Sequence, residues 1–198
     1  MSGDAGNASS PLPRRPYGKD CVEVSVVGFG GIVVADRSQE EADRTVADAI
    51  AAGVNYFDIA PSYGNALEQL GPALEPYRKD CFLACKTLKR DAEKAREELE
   101  QSLEAMRTDH FDLFQLHALS DVERDVEAVF AGGGAMETLL DAREKGQVRH
   151  LGFSAHTEEA ALAAMERFEF DSVLFPINFA CLMQNKLLPI VKTTSCVI

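Results

Sequence analysis

The strongest constraint on the fold of this chain is a regular alternation of strand-like and helix-like segments. Short apolar or β-branched runs begin near residues 26, 54, 81, 111, 148 and 171, and the first five lead into a segment with helical periodicity or a helix cap. This alternation is typical of repeated β/α units, in which helices cover a parallel sheet. The sequence therefore predicts an α/β fold with six parallel strands.

The bounds of these segments follow from apolar periodicity, caps and glycines. A hairpin is predicted over residues 14–27, with the turn at residues 18–20. Six strands are predicted at 26–31, 54–58, 81–86, 111–117, 148–154 and 171–178. Helices are predicted at 40–52, from 67 with an interruption at Gly71-Pro72, at 92–106, after 117 with a break at 132–134 and a continuation to 145, and at 157–168. The glycines at 28, 30 and 31 do not have the spacing of a dinucleotide-binding G-x-G-x-x-G motif.

A residue that is not aliphatic ends each predicted strand. These residues are Gly31, Asp58, Lys86, His117, Ser154 and Asn178. The carboxyl ends of parallel strands share one edge, where both β/α barrels and open doubly wound sheets keep their functional residues. The strand ends therefore predict a site, and by themselves they are compatible with either fold.

Four of the residues near these ends form a chemically suggestive set: Asp58, Tyr63, Lys86 and His117. A lysine is rarely buried without a partner, and Asp58 is the obvious carboxylate. A phenol releases its proton readily only near pH 10, and a nearby ammonium group stabilises the phenolate. A purely structural Asp–Lys pair and a core histidine remain the alternative interpretations.

Composition limits the other classes of function. The chain has 198 residues, which suits one domain, and its net charge of -12 argues against nucleic acid or an anionic membrane surface as a partner. No apolar run approaches a membrane span, and no signal-like core precedes residue 20. With five scattered cysteines, a cytoplasmic location is expected. Residues 1–13 are predicted to be a disordered arm, and residues 14–198 the domain.

Five motifs occur in the chain in this order: GFGG (28–31), DIAPSYG (58–64), CK (85–86), DLFQLH (112–117) and GFS (152–154). In these motifs the chain resembles the aldo-keto reductase family. The resemblance implies a (β/α)8 TIM barrel, NADPH as cofactor with NADH also possible, and reduction of small aldehydes and ketones to alcohols. It also implies that Tyr63 donates a proton, which Lys86 makes easier to release. Asp58 would hold Lys86, and His117 would orient the substrate carbonyl.

The same resemblance implies a cofactor site and shows two departures from it. The implied cofactor contacts are Gly31, Ile32, Asp58, Ser154 and Asn178. Ala155 stands where the family usually has Asn, and Leu174 where it has Gln, so two carboxamide contacts are missing or replaced. No C-x-x-C-x-x-C run is present, so neither an iron–sulfur cluster nor another metal is expected.

Length is the largest departure, because a full barrel takes about 250 residues. We expect six of the eight β/α units, hence an incomplete barrel from a truncated or frameshifted reading frame. Its two open strand edges predict self-association. Two alternatives to an impaired reductase remain open, namely a non-catalytic nucleotide-sensing or regulatory subunit and an inactive remnant on the same fold.

Overall fold

The computed structural model describes residues 12–18 and 20–176. These residues form one two-stranded and one six-stranded sheet. The strands are β1 (Arg14–Tyr17), β2 (Val22–Ser25), β3 (Phe29–Gly30), β4 (Tyr56–Asp58), β5 (Phe82–Thr87), β6 (Phe111–Leu119), β7 (Val148–Ala155) and β8 (Ser172–Leu174). Residues 1–11 and 177–198, which include Asn178, lie outside the described part, so the predicted division at residue 13 stays a prediction.

Helices follow the strands of the larger sheet, as the sequence predicts. They are α1 (Gln39–Ala51), α2 (Ala66–Leu74), α3 (Ala92–Ala105), α4 (Ala128–Phe130), α5 (Ala135–Glu144) and α6 (Glu158–Arg167). Short 3-10 helices span Gly31–Val34 and Glu75–Asp80, and a π-helical turn spans Val122–Glu127. Ser38 forms a capping box with Glu41 at α1, and Thr157 caps α6.

The larger sheet has the strand order of the sequence, from β3 to β8, and every neighbouring pair is parallel. A sequential order of parallel strands with one crossover helix after another is the connectivity of a β/α barrel. The six strands form a curled half-barrel. The predicted incomplete (β/α)8 barrel is confirmed, and an open doubly wound sheet is ruled out for these strands.

The two faces of the sheet are covered differently, and this leaves one end of it free for a site. Alternate strand residues point to opposite faces, and residues such as Leu83 pack with the helices in the main core. On the other face Tyr17 of the hairpin packs with Phe82 and Leu113, and its hydroxyl donates to Ser172 Oγ at 2.7 Å. The hairpin therefore covers this face near the amino ends of the strands. The side chains at the carboxyl ends lie beyond the hairpin.

Two local predictions are wrong. The strand predicted from Val26 is only Phe29–Gly30, and Val26 itself is half exposed. Gly71-Pro72 does not interrupt α2. A Cβ at Gly71 would lie 2.1 Å from the carbonyl oxygen of Ala105, so this glycine allows α2 to approach α3 closely rather than ending the helix.

In the part of the chain that the structure describes, none of the helices combines the length and apolarity that a membrane span would need.

We propose that the open edges lead to self-association. Among the described residues, no strand pairs with the outer edge of β3 or β8, and unpaired edges invite pairing with another chain. We expect the mass measured by light scattering to rise above 21.6 kDa with protein concentration. Gly30→Lys should lower this association, because Gly30 lies on β3 with free space around a new Cβ and a negative φ of -77°.

Gly132→Lys is the matched control for this experiment. It adds the same charge at an exposed loop glycine with equally free space, away from both edges. A constant monomer mass over the whole concentration range, or equal effects of the two substitutions, would contradict pairing through the β3 edge.

Candidate active site

Four predicted residues meet at the carboxyl ends of three adjacent strands. Asp58 ends β4, Lys86 lies near the end of β5, and His117 follows the buried part of β6. Tyr63 lies in the turn between β4 and α2, where Pro61 and Gly64 redirect the chain. Strand alternation places the three strand residues on the same face of the sheet. The hairpin covers this face only near the amino ends of the strands.

Lys86 is the centre of this set. Its side chain is 1% exposed and forms an ion pair with the carboxylate of Asp58. Lys86 Nζ also donates a hydrogen bond to the hydroxyl oxygen of Tyr63 at 3.2 Å, and lies 5.1 Å from the centre of the Tyr63 ring. One buried ammonium group therefore contacts both a carboxylate and a phenol, and the predicted convergence of these three residues is confirmed.

His117 completes the set from the neighbouring strand. Its ring meets the Tyr63 ring edge-on, with centroids 6.0 Å apart. Nδ1 of His117 lies 3.4 Å from Ser62 Oγ, within hydrogen-bond distance. The catalytic roles of the four residues stay predictions, but the structure brings all four into one group.

Burial and the ionic contact have opposite effects on the pKa values of Lys86 and Asp58. Burial alone would lower the pKa of Lys86, but the Asp58 carboxylate and the Tyr63 hydroxyl outweigh it, so the pKa lies above its usual value. Burial also raises the pKa of Asp58, against the opposing effect of Lys86. Lys86 is therefore a cation at neutral pH.

His117 is neutral under the same conditions. Burial, followed by the electrostatic effects of Lys86, His156 and Arg90, lowers the pKa of His117 to about 4. A neutral imidazole has one N–H donor and one acceptor. His117 can therefore donate a hydrogen bond to an oxygen atom without itself transferring a proton at neutral pH.

The lowered pKa of His117 predicts a loss of stability in acid. The folded state resists protonation of His117 until about pH 4, whereas an unfolded histidine binds a proton near pH 6.5. The unfolded state therefore binds more protons between these values, and the free energy of unfolding falls as the pH is lowered from 6.5 to 4. After a discount for partial exposure we expect His117 to account for about 1–2 kcal/mol of this fall.

Urea unfolding of the wild type and of His117→Gln at pH 7 and pH 4.5 measures this contribution. The substitution removes the titrating ring, so the difference in stability between the two pH values should shrink. An unchanged difference would mean that other groups carry the acid sensitivity.

The predicted cofactor contacts have several different environments. Gly31 is buried, and a Cβ there would lie 2.4 Å from Ile59, so packing already requires a small residue. Ile32 is 57% exposed beside it. Ser154 Oγ accepts a hydrogen bond from the Ala118 N–H at 2.7 Å, which leaves the Ser154 hydroxyl proton available for another acceptor.

These residues suit a nicotinamide nucleotide. The exposed apolar side chains of Ile32 and Val33 follow β3, and Leu88 follows β5, at the same edge of the sheet as the buried cation. An apolar wall with a few hydrogen-bonding groups is the usual composition of a cofactor pocket. Ser154 would contact the carboxamide, as the resemblance implies. Asp58, another predicted contact, ends β4, and Asn178 lies outside the described residues.

Sequence inspection did not single out three polar residues near this site. Ser62 contacts His117, and Arg90 binds its carbonyl oxygen. Gln115 is fully buried on β6, and its side-chain amide has no hydrogen-bond partner among the described residues. Strand alternation places Gln115 on the same face as Lys86, its neighbour in the β5–β6 register. Strand alternation is the one feature of the sequence that could have indicated Gln115 as a residue of this site.

Comparison with known proteins agrees with the fold and the motifs. The model of the aldo/keto reductase family matches residues 26–196. An aldo-keto reductase of Mycobacterium avium is 31% identical over 165 residues, which cover 81% of this chain and 54% of that protein. L-galactose dehydrogenase of Arabidopsis thaliana is 30% identical over 158 residues, covering 72% of this chain and 48% of that protein.

Solved structures show the same likeness. The holo form of an aldo-keto reductase from Bacillus halodurans has a TM-score of 0.80 at 22% identity, and the match covers 94% of this chain and 65% of that one. A Bombyx mori aldo-keto reductase in complex with NADP has a TM-score of 0.69 at 19% identity, with coverage of 92% and 64%. At these identities the structures support the fold.

The family match and the half-barrel define a protein of the β/α-barrel class. The chain belongs to the aldo/keto reductase family, so the resemblance predicted from the five motifs is confirmed. It spans about half the length of the curated relatives that it matches.

Proposed function

We propose that this chain carries the proton-donating site of an NAD(P)H-dependent reductase that converts small aldehydes and ketones to alcohols. The observation that carries this proposal is the position of Lys86, which is buried and contacts both Asp58 and Tyr63. A structural ion pair needs only the lysine and the carboxylate. The Tyr63 phenol beside the Lys86 ammonium group adds a group that can donate a proton, and this supports a catalytic role for the ion pair.

The proposed chemistry assigns each residue one task. Tyr63 donates its hydroxyl proton to the carbonyl oxygen of the substrate as that oxygen gains negative charge. Lys86 stabilises the phenolate that remains, and Asp58 keeps Lys86 in its cationic form. His117, neutral at physiological pH, donates a hydrogen bond to the same carbonyl oxygen and orients it. When bound, the nicotinamide cofactor supplies the hydride to the carbonyl carbon.

We propose NADPH as the cofactor, with NADH as the alternative, held by Ser154 and by the residues after β3. The Bombyx mori aldo-keto reductase, which shares the fold, is a complex with NADP. The proposed partners are this nucleotide and a small carbonyl substrate, in the cytoplasm, without nucleic acid or a membrane.

The experiment is reduction of a generic aldehyde by NADPH at high enzyme concentration, with the alcohol product quantified. We expect slow turnover that falls about 10²-fold or more in Tyr63→Phe, as for loss of a general acid. Tyr77→Phe is the matched control, since Tyr77 lies in the 3-10 helix after α2 and outside the four-residue set.

Turnover that is equal in wild type and Tyr63→Phe would overturn the proposed role of Tyr63. NADPH binding without any Tyr63-dependent turnover would instead favour a nucleotide-sensing subunit. A chain that neither binds NADPH nor shows Tyr63-dependent turnover would favour an inactive remnant.

A further inference from the structure

Arg90 links three parts of the chain next to the site. It lies in the loop between β5 and α3, and its side chain is 19% exposed. Nε donates to Asp125 Oδ1 at 2.9 Å, while Nη2 donates to the carbonyl oxygen of His117 at 2.8 Å. Nη2 also lies 3.5 Å from the carbonyl oxygen of Ala118. One planar guanidinium group therefore joins a carboxylate to the backbone at the end of β6.

The backbone that Arg90 holds is not ordinary strand. Ala118 has a φ of 57°, a left-handed conformation that is unfavourable for a residue with a side chain. The β6–β7 register also shifts between Leu116 and Leu119. A bulge of this kind re-aims the adjacent side chain, and the adjacent side chain is His117.

Several polar contacts fix this bulge at the end of β6. The Ala118 N–H donates to Ser154 Oγ at 2.7 Å. Asp125, the carboxylate partner of Arg90, accepts from the N–H groups of Ser120 and Asp121 at 2.8 and 3.0 Å. Arg90 therefore binds the bulge both directly, through the carbonyl oxygens of His117 and Ala118, and indirectly, through Asp125.

We propose that Arg90 is a positioning residue that fixes the bulge at the end of β6, over residues 117–120, and so sets the direction in which His117 presents its ring. The importance of this role of Arg90 for catalysis rests on the proposed function. Lysine would not replace it, because a single ammonium group lacks the planar fork that serves the carbonyl and the carboxylate together.

The charges around His117 agree with this role. Lys86 from β5, His156 after β7 and Arg90 from the loop act on His117, and each lowers its pKa, after burial as the largest cause. Tyr63 and Ser62 contact the ring from the turn after β4. Asp125 faces Arg90 and partly offsets its charge. Arg90 thus contributes both a geometric and an electrostatic effect that two variants can separate.

The test is an NMR experiment on the full chain without cofactor, using Arg90→Gln and Arg90→Lys. The readouts are amide exchange at Ala118 and the titration midpoint of the His117 ring, assigned with His117→Gln. In both variants we expect amide exchange at Ala118 to be about tenfold faster or more, since the bulge opens more often. In Arg90→Gln alone the His117 midpoint should rise by about 0.5–1 pH unit, because only this variant removes the charge.

Arg96→Gln is the control. Arg96 pairs with Asp141 at 2.6 Å, between α3 and α5 and away from β6, so this variant should change neither readout. If Arg90→Gln does not fold, amide exchange at Ala118 in Arg90→Lys decides whether Arg90 fixes this backbone. Unchanged exchange in every folded Arg90 variant overturns the proposal. That result would leave the proposed function standing, because reduction is judged separately by Tyr63→Phe.

Discussion

Asp58→Ala should lower the free energy of unfolding by about 3–5 kcal/mol, a large part of the stability of a domain of this size. The reason is that Lys86 is almost fully buried and Asp58 is its only carboxylate partner among the described residues. Removal of Asp58 leaves an ammonium group in the interior, where it must stay charged at high cost or lose its proton. Urea unfolding at pH 7 measures the loss.

Two further variants show whether the unpaired charge causes this loss. Asp58→Ala combined with Lys86→Met should recover most of the stability, because an apolar side chain then fills the space of the lysine. Asp141→Ala removes a carboxylate that is about one third exposed and pairs with Arg96 and Lys145, and it should cost less than about 1 kcal/mol. A loss in Asp58→Ala as small as that in Asp141→Ala would contradict a buried, unpaired lysine.

The strand ends are the part of this structure that the sequence predicts well. Asp58 and Lys86 each follow a short apolar run, and parallel strands of a β/α repeat end at one edge. Two local rules, alternation and strand–helix repetition, therefore suffice to place these residues together. The helix caps Ser38 and Thr157 are predictable for the same reason, since a cap involves residues only three apart.

The surroundings of His117 depend on contacts that no local rule predicts. Arg90 and Asp125 are 35 residues apart in the chain, and both contact the backbone at the end of β6. The bulge there depends on a register shift against β7 and on a left-handed alanine, and neither leaves a mark in the sequence. The sequence thus predicts which residues form the site and does not predict how His117 is aimed.

The predicted strand at Val26 failed for a related reason. Val26 and Val27 have strand propensity, but both are about half exposed, and only Phe29 and Gly30 pair with β4. Strand propensity reflects packing against a partner strand more than an intrinsic preference of the backbone. An apolar run therefore predicts a strand only where a neighbour is available to pair with it.

The 198-residue chain by itself should bind NADPH weakly and reduce carbonyls far more slowly than relatives of full length. All four residues of the proposed proton-donating set are present, but the chain spans about half of the relatives that it matches. Six parallel strands are described, where a closed barrel has eight. Correct placement of two reactants can account for about 7–11 kcal/mol of the barrier, and that placement requires the whole cofactor to be held.

The measurement is a titration of NADPH fluorescence, which suits a chain with no tryptophan, together with turnover of the same aldehyde. A full-length relative, such as the Mycobacterium avium aldo-keto reductase, serves as the reference under identical conditions. Ser154→Ala should weaken binding further if its hydroxyl holds the carboxamide, since a hydrogen bond to a buried acceptor is worth about 0.5–1.5 kcal/mol. Binding and turnover equal to the reference, with turnover abolished by Tyr63→Phe, would show that this chain suffices by itself or that self-association completes the cofactor site.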